Sequence, residues 1–176
     1  AAPEAFLEAV ESDLKKDKPT VMILFAEEGT MGGCPHADLL RGLELISWNL
    51  DCLMRVVGIL GKLARLDPGG QYVNRPINSL KSIFRGSLPQ TKAALNDRLK
   101  IIDWLIGVEP EVGWKLLVAL IPDGGFNIIQ RPRFRKWAED WNENVTKEDY
   151  GNHITAISER MLSYALHGPY SRWIDL

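Results

Sequence analysis

Cysteine is scarce in this chain, and long apolar runs are missing from it. The 176 residues include two cysteines, Cys34 and Cys52, and neither belongs to a CxxC pair. A disulfide framework is therefore not indicated, which favours a reducing compartment. The apolar stretch at 21–26 is far shorter than the roughly 20 residues of a membrane-spanning helix. No charged leader followed by an apolar stretch opens the chain, so we expect a cytoplasmic protein without a membrane partner.

The chain also lacks a strong charge of one sign and a complete catalytic motif. Its formal net charge of −2 provides no general attraction for nucleic acid or for an anionic membrane. It contains no Walker P-loop and no dinucleotide-binding glycine motif. Acidic pairs such as Glu27–Glu28 lie at predicted helix ends, where carboxylates favour the helix N-terminus or face solvent. The sequence therefore predicts a protein that is not an enzyme, with no catalytic residues and no cofactor.

Helical periodicity is the main feature that is present. Apolar side chains recur at spacings of three and four, which is typical of a buried helix face. This pattern occupies residues 6–14, 39–46, 53–63, 95–106 and 150–164. Thr146 and Asp149 resemble a capping box before the last stretch, with Asp in place of the usual Glu or Gln. Residues 20–25 begin with β-branched side chains, but no partner strand is evident, so we predict a short helix from Pro19 to about Glu27.

A set of marks recurs along the chain at a nearly constant offset. A helix-ending segment is followed each time by Gly-Gly and then by an amide–Arg–Pro triplet. The marks are Gly69, Gly70, Arg75 and Pro76 in one copy and Gly124, Gly125, Arg131 and Pro132 in the other. The offset is 56 for Trp48 and Trp104, 55 for Gly69 and Gly124, and 56 for Arg75 and Arg131. This predicts a unit of two longer antiparallel helices, a left-handed Gly-Gly stop and a short helix begun by proline.

The repeat predicts an all-α fold, namely a right-handed α-solenoid-like array of three-helix units of about 55 residues, as in HEAT or TPR superhelices. We expect a single α-helical repeat domain over 1–176, with a partial unit at each end. The divisions are 1–36, 37–91, 92–146 and 147–176. Because arrays rarely end within a unit, the chain is expected to be a piece of a longer protein.

Several segments resemble the α-helical repeat region of large bacterial multidomain proteins. They are LDPGG at 66–70, NRPINSL at 74–80, LPQT at 88–91, EPEVGWKLL at 109–117, and RPR at 131–133 followed by Trp137. The resemblance covers most of the chain, from Pro3 to Trp141. In such proteins the region lies beside STAND-type nucleotide-binding or sirtuin-like domains, of the type associated with antiphage defence. The resemblance implies a sensor, linker or oligomerisation scaffold, with the chemistry located in other domains.

The densest positive cluster interleaves basic and aromatic side chains. It contains Arg131, Arg133, Arg135 and Lys136 together with Phe134 and Trp137. Such a cluster can hold phosphates and stack bases. We favour an amphipathic helix whose aromatics lie in the core, because the acids at 139, 140 and 143 would repel a phosphate backbone. Trp141 and Trp173 are less constrained by the repeat and are candidates for contacts with a protein partner.

Two further motifs have a structural and a functional interpretation. Cys34-Pro35-His36 could be half of a metal site or a thiol–imidazole pair, but a structural zinc needs four ligands and no second Cys/His pair stands nearby. We therefore favour a plain loop cysteine. The recurring Arg75 and Arg131 favour a structural role, in which each Arg caps carbonyls of a neighbouring helix. Asn74 would then cap the helix that Pro76 begins.

These observations favour a non-enzymatic scaffold or sensor segment that mediates contacts with other domains or another protein. No metal site is predicted. The alternative is sensing of a nucleic acid or nucleotide through residues 131–137. The partner's identity and the oligomeric state stay open at this point.

Charge reversal separates the two hypotheses. If residues 131–137 bind nucleic acid, Arg133→Glu with Arg135→Glu should weaken binding to single-stranded oligonucleotides at least tenfold, because phosphate contacts contribute most of the affinity. Fluorescence anisotropy at two salt concentrations measures the change. Unchanged anisotropy would eliminate the nucleic-acid hypothesis.

Overall fold

The computed structural model describes residues 2–26, 34–121 and 145–168, and all regular structure in these ranges is helical. The elements are α1 (Ala2–Asp13), a 3₁₀ helix (Thr20–Phe25), α2 (Pro35–Ile46), α3 (Leu50–Leu66), α4 (Pro76–Phe84), α5 (Leu95–Val108), α6 (Pro110–Leu120) and α7 (Lys147–His167). The all-α prediction is confirmed for this part of the chain. No helix within it combines the length and apolar character needed to cross a bilayer.

The helix order follows the predicted repeat. Helices α2 and α3 are followed by the shorter α4, which begins at Pro76 as predicted. Helices α5 and α6 occupy the corresponding places in the next copy, and α7 begins at Lys147, where a third copy was predicted. The second Gly-Gly and its triplet, at 124–132, lie outside the described residues. The solenoid arrangement and its right-handed sense stay predictions.

Helix α3 lies at the centre of the packing. It contacts α1, α2, α4, α5 and α6. Its fully buried side chains are spread around more than one helix face, because a central helix has core on several sides. They include Leu53, Val56, Val57, Ile59, Leu60 and Leu63. The other helices each contribute one apolar face to the same core.

Glycines allow the helices around α3 to approach closely. A Cβ at Gly61 would lie 2.7 Å from Leu105 Cδ1, and one at Gly58 would lie 3.1 Å from Trp104 Cη2. In α6, a Cβ at Gly113 would lie 2.8 Å from the Cα of Ile106 in α5. A methyl group at Gly113 would press on backbone, whereas one at Gly58 or Gly61 would require the Trp104 or Leu105 side chain to shift. Gly113 therefore fixes the close approach of α5 and α6, and Gly58 and Gly61 allow that of α3 and α5.

Two helix ends show how far local rules hold. The capping box is confirmed, since the Asp149 amide donates to Thr146 Oγ1 at 3.1 Å and the Thr146 amide donates to Asp149 Oδ2 at 2.9 Å. The predicted glycine stop after α3 is wrong. The helix ends at Leu66 with Asp67 in an extended conformation, because Pro68 disfavours a helical residue before it. Gly69 and Gly70, with φ of 78° and 144°, turn the loop that follows.

Two glycine substitutions test the close approach of α5 and α6. Gly113→Ala should lower the free energy of unfolding by about 1–3 kcal/mol, because its methyl group would press on backbone. Gly107→Ala, in α5, should raise it by about 0.5–1 kcal/mol, because no heavy atom lies within 4 Å and Ala favours the helix. Urea unfolding measures both. Equal effects would contradict the steric argument.

Candidate functional site

Cys34 and His36 lie close together, although the sequence favoured a plain loop cysteine over a thiol–imidazole pair. Cys34 Sγ lies 3.1 Å from His36 Nε2. The same Nε2 lies 2.8 Å from the Asn74 carbonyl oxygen, and Nδ1 lies 3.1 Å from that of Leu24. Both ring nitrogens face a carbonyl oxygen, and a neutral imidazole donates through only one of them, so the tautomer decides which carbonyl accepts. In either tautomer, His36 links its own segment to the backbone of Leu24 or of Asn74.

The environment of His36 is that of a core side chain. It is 1% exposed, and its ring stacks on Phe25 with centroids 4.8 Å apart. Tyr72 packs against it edge-on at 6.0 Å. Among the described residues, no three His, Cys, Asp or Glu side chains form a group that could hold a metal ion. Within the described residues, the Cys34 segment therefore shows no group of ligands for a metal ion.

Arg75 organises the loop between α3 and α4. It is buried and donates through Nη1 to Asp67 Oδ1 at 3.1 Å and through Nε to the Tyr72 carbonyl at 3.2 Å. Asp67 Oδ1 also accepts from the Gly69 amide at 3.1 Å. These bonds tie Arg75 to its own loop, whereas the sequence predicted a cap on a neighbouring helix. The predicted side-chain cap by Asn74 is also wrong, because Arg75 occupies the N-cap without a side-chain cap bond.

A polar cavity of about 470 Å³ lies between α2 and α4. Glu44 lines it and is buried, and its Oε1 accepts a hydrogen bond from Ser79 Oγ at 2.7 Å. Arg75, another lining residue, is bound to Asp67. The buried polar side chains that line this cavity therefore already have hydrogen-bond partners within the protein, as is usual for polar groups in a protein core.

An apolar groove of about 570 Å³ lies where α1, α3 and α5 meet. Its apolar lining consists of Leu14, Met54, Gly58, Ile59, Trp104 and Val108. Met54 is 46% exposed and Val108 is 50% exposed. The Trp104 ring lies directly over Gly58, where a side chain would otherwise fill the groove. Two exposed apolar side chains, Met54 and Val108, thus lie beside the half-buried Trp104 in one depression of the surface.

The charged rim of the groove has a surplus of cations. Glu11 accepts two hydrogen bonds from Arg55, at 2.9 Å from Nε and 2.8 Å from Nη2. These bonds keep the pKa of the Glu11 carboxyl below its usual value. Glu109, the other acid, is 3.0 Å from Arg65 Nε. Lys15 and Lys62 also line the groove. Both carboxylates are thus already bound to arginines, and the two ammonium groups are additional to those pairs.

The structure leaves the predicted contact residues untested. Arg131, Arg133, Arg135, Lys136, Trp141 and Trp173 lie outside the described residues. Trp104, which the sequence marks as part of the repeat, is half-buried, packs against the core and lines the groove. Met54 and Val108 could not be predicted as contact residues, because each looks like an isolated surface residue in the sequence. The one available signal was Gly58, a glycine within the apolar stretch of α3.

His153 is a buried titratable group without a hydrogen-bond partner among the described residues. It lies in α7, is 1% exposed, and neither ring nitrogen has a bonding partner there. Gly86 lies against its ring so closely that a Cβ could not fit. Burial, with a smaller contribution from Arg98, lowers the pKa of His153 to about 4. The side chain is therefore neutral over the physiological pH range.

His153 should make stability depend on pH. The unfolded chain binds a proton near pH 6.5, whereas the folded chain binds it only near pH 4, so stability falls as pH drops between these values. The full loss is about 3 kcal/mol. Urea unfolding at pH 7.5, 6 and 5 should show about 2 kcal/mol of this loss, since pH 5 is still above the folded pKa, in the wild type and in His167→Gln, an exposed control in the same helix. His153→Leu should flatten the profile over this interval, and an unchanged slope would refute the assignment.

Comparison with known proteins adds no relative. No protein-family model, curated protein or solved structure matches the chain. The resemblance to bacterial multidomain proteins therefore depends only on the segments quoted above. The geometry of the described residues, and above all the groove, must support any functional conclusion.

Proposed function

We propose that this chain is a non-enzymatic helical-repeat scaffold that binds another protein, or another domain, through the groove between α1, α3 and α5. The groove is the observation on which the proposal depends. It combines exposed Met54 and Val108 with a half-buried tryptophan and a charged rim. Aromatic anchors in apolar pockets with polar rims are typical of protein interfaces. The cysteines are free thiols, which suits the cytoplasm as the compartment.

The chemistry of the described residues supports binding over catalysis. His36 is buried and both of its ring nitrogens lie within hydrogen-bond distance of a backbone carbonyl oxygen, which favours a structural role for its contact with Cys34. In the groove, the hydrogen bonds from Arg55 keep Glu11 ionised and lower its pKa, which makes that carboxylate a poor proton acceptor at neutral pH. Arg160 likewise forms two bonds with Asp103, at 2.6 and 2.8 Å. These charged groups are engaged in structural pairs.

The three helices that form the groove are also held together by direct contacts. The Arg55–Glu11 pair links α1 to α3, and Gly58 and Gly61 allow α5 to pack closely on α3. A surface held in its binding shape before association loses little conformational entropy on binding. This rigidity suits a docking surface that a partner recognises without refolding the scaffold.

Site-specific photo-cross-linking in the native host tests the proposal. A photoreactive phenylalanine at Met54 or at Val108 should cross-link to the same protein, and nuclease treatment should not remove the product. The control position is Val118 in α6, which is 48% exposed and lies outside the groove. Adding Met54→Glu should reduce the product at position 108 at least tenfold, because a carboxylate would be buried in the interface.

Two outcomes would count against the groove. One is the absence of cross-links at both 54 and 108, and the other is an equal yield of the same product at 118. Thermal unfolding of each variant provides the folding control. Since Met54 is 46% exposed, its replacement should leave the unfolding temperature nearly unchanged.

A further inference from the structure

The groove follows α3 for a little over two helical turns. Its α3 lining runs from Met54 to Lys62, about 12 Å along the axis at roughly 1.5 Å per residue. Side chains of α1 and α5 complete the lining. A trough built from three helices suits the apolar face of a fourth, which is the helix-in-groove mode of recognition.

The backbone of the groove discriminates between a helical and an extended partner. Residues 54–62 lie inside α3, so their amides and carbonyls are bonded along the helix. The α3 floor therefore offers no main-chain donors or acceptors to an incoming strand. An extended segment would leave its own peptide groups unpaired against apolar surface, at a cost in free energy. A helical segment satisfies these groups internally.

The rim charges specify the partner further. Glu11 and Glu109 are bound by Arg55 and Arg65. Lys15 and Lys62 add positive charge at the same rim. Carboxylates beside the apolar face of the partner would meet these ammonium groups, whereas cations there would be repelled. Charge complementarity therefore selects an acidic flank.

We infer that the groove binds an amphipathic α-helix of another protein, with apolar side chains spaced i, i+3 or i+4, and i+7, and with Asp or Glu beside them. The inference rests on the proposed function and names the class of partner. The competing occupants are a small apolar molecule and an extended peptide. Acidic flanks and helical spacing of the apolar residues distinguish an amphipathic helix from both.

Selection from a displayed peptide library tests the inference on the full chain. The library fixes the length, randomises the apolar spacing and randomises the charged flanks. The wild type should enrich peptides with helical spacing and acidic flanks. Lys15→Glu with Lys62→Glu should enrich basic flanks instead. Lys115→Glu with Lys147→Glu, at exposed positions outside the groove, should behave as the wild type.

Affinities of the selected peptides complete the test. Fluorescence anisotropy should show binding at least tenfold weaker to Met54→Glu and weaker at higher salt, since the charged contacts lie at an exposed rim. Flank charges that do not change in the Lys15/Lys62 variant would overturn the inference, as would enrichment of peptides without helical spacing. The inference would also be overturned if none of the enriched peptides bound more weakly to the Met54→Glu variant.

The two proposals fail in distinguishable ways. The docking groove would stand and the acidic helix would be rejected if positions 54 and 108 cross-link in cells but the flank charge of the selected peptides does not depend on Lys15 and Lys62. Absence of the cross-links would reject the docking function itself.

Discussion

The packing of α3 against its neighbours is the constraint on which the rest of the structure depends. Within the described residues, α1, α2, α4, α5 and α6 pack against it, and most of its apolar side chains are fully buried. Gly58 and Gly61 let α5 lie close to α3, so that the Trp104 and Leu105 side chains occupy the space that two larger residues would fill. The groove is a consequence of the same contact. The α3 residues at its edge, Met54 and Lys62, are those that this packing does not cover.

Side-chain hydrogen bonds fix the loop segments that helix packing does not fix. His36 lies within hydrogen-bond distance of the carbonyls of Leu24 and Asn74, which are 50 positions apart in the chain. The Ser47 hydroxyl donates to the Glu44 carbonyl at 2.7 Å and lies 3.2 Å from the Gln90 carbonyl, and the Ser47 carbonyl accepts from Thr91 at 3.0 Å. The bonds around Ser47 are buried, so they replace water that the irregular backbone would otherwise need. The loops between helices are thereby ordered by a few specific side chains.

Much of the fold could be predicted from local sequence, because helix periodicity, Pro76 and the Thr146–Asp149 box act over a few residues. The offset between Trp48 and Trp104 also indicated the order of the helices. The groove could not be predicted, since it needs α1, α3 and α5 in contact, and no local pattern encodes that meeting. His153 illustrates the same limit. The sequence shows that His153 lies within a helix with apolar periodicity. It does not show that Gly86 packs directly against the His153 ring, because that contact depends on tertiary structure.

Helix α3 serves the core with one set of side chains and the groove with another. Any ligand that binds the groove is therefore in contact with the element whose unfolding would dismantle the whole core. By mass action, an occupant at 100 times its dissociation constant would add about 2.7 kcal/mol to the free energy of unfolding. Occupancy and folding would thus be thermodynamically linked, and the lifetime of this protein in a cell would depend on the concentration of whatever fills the groove.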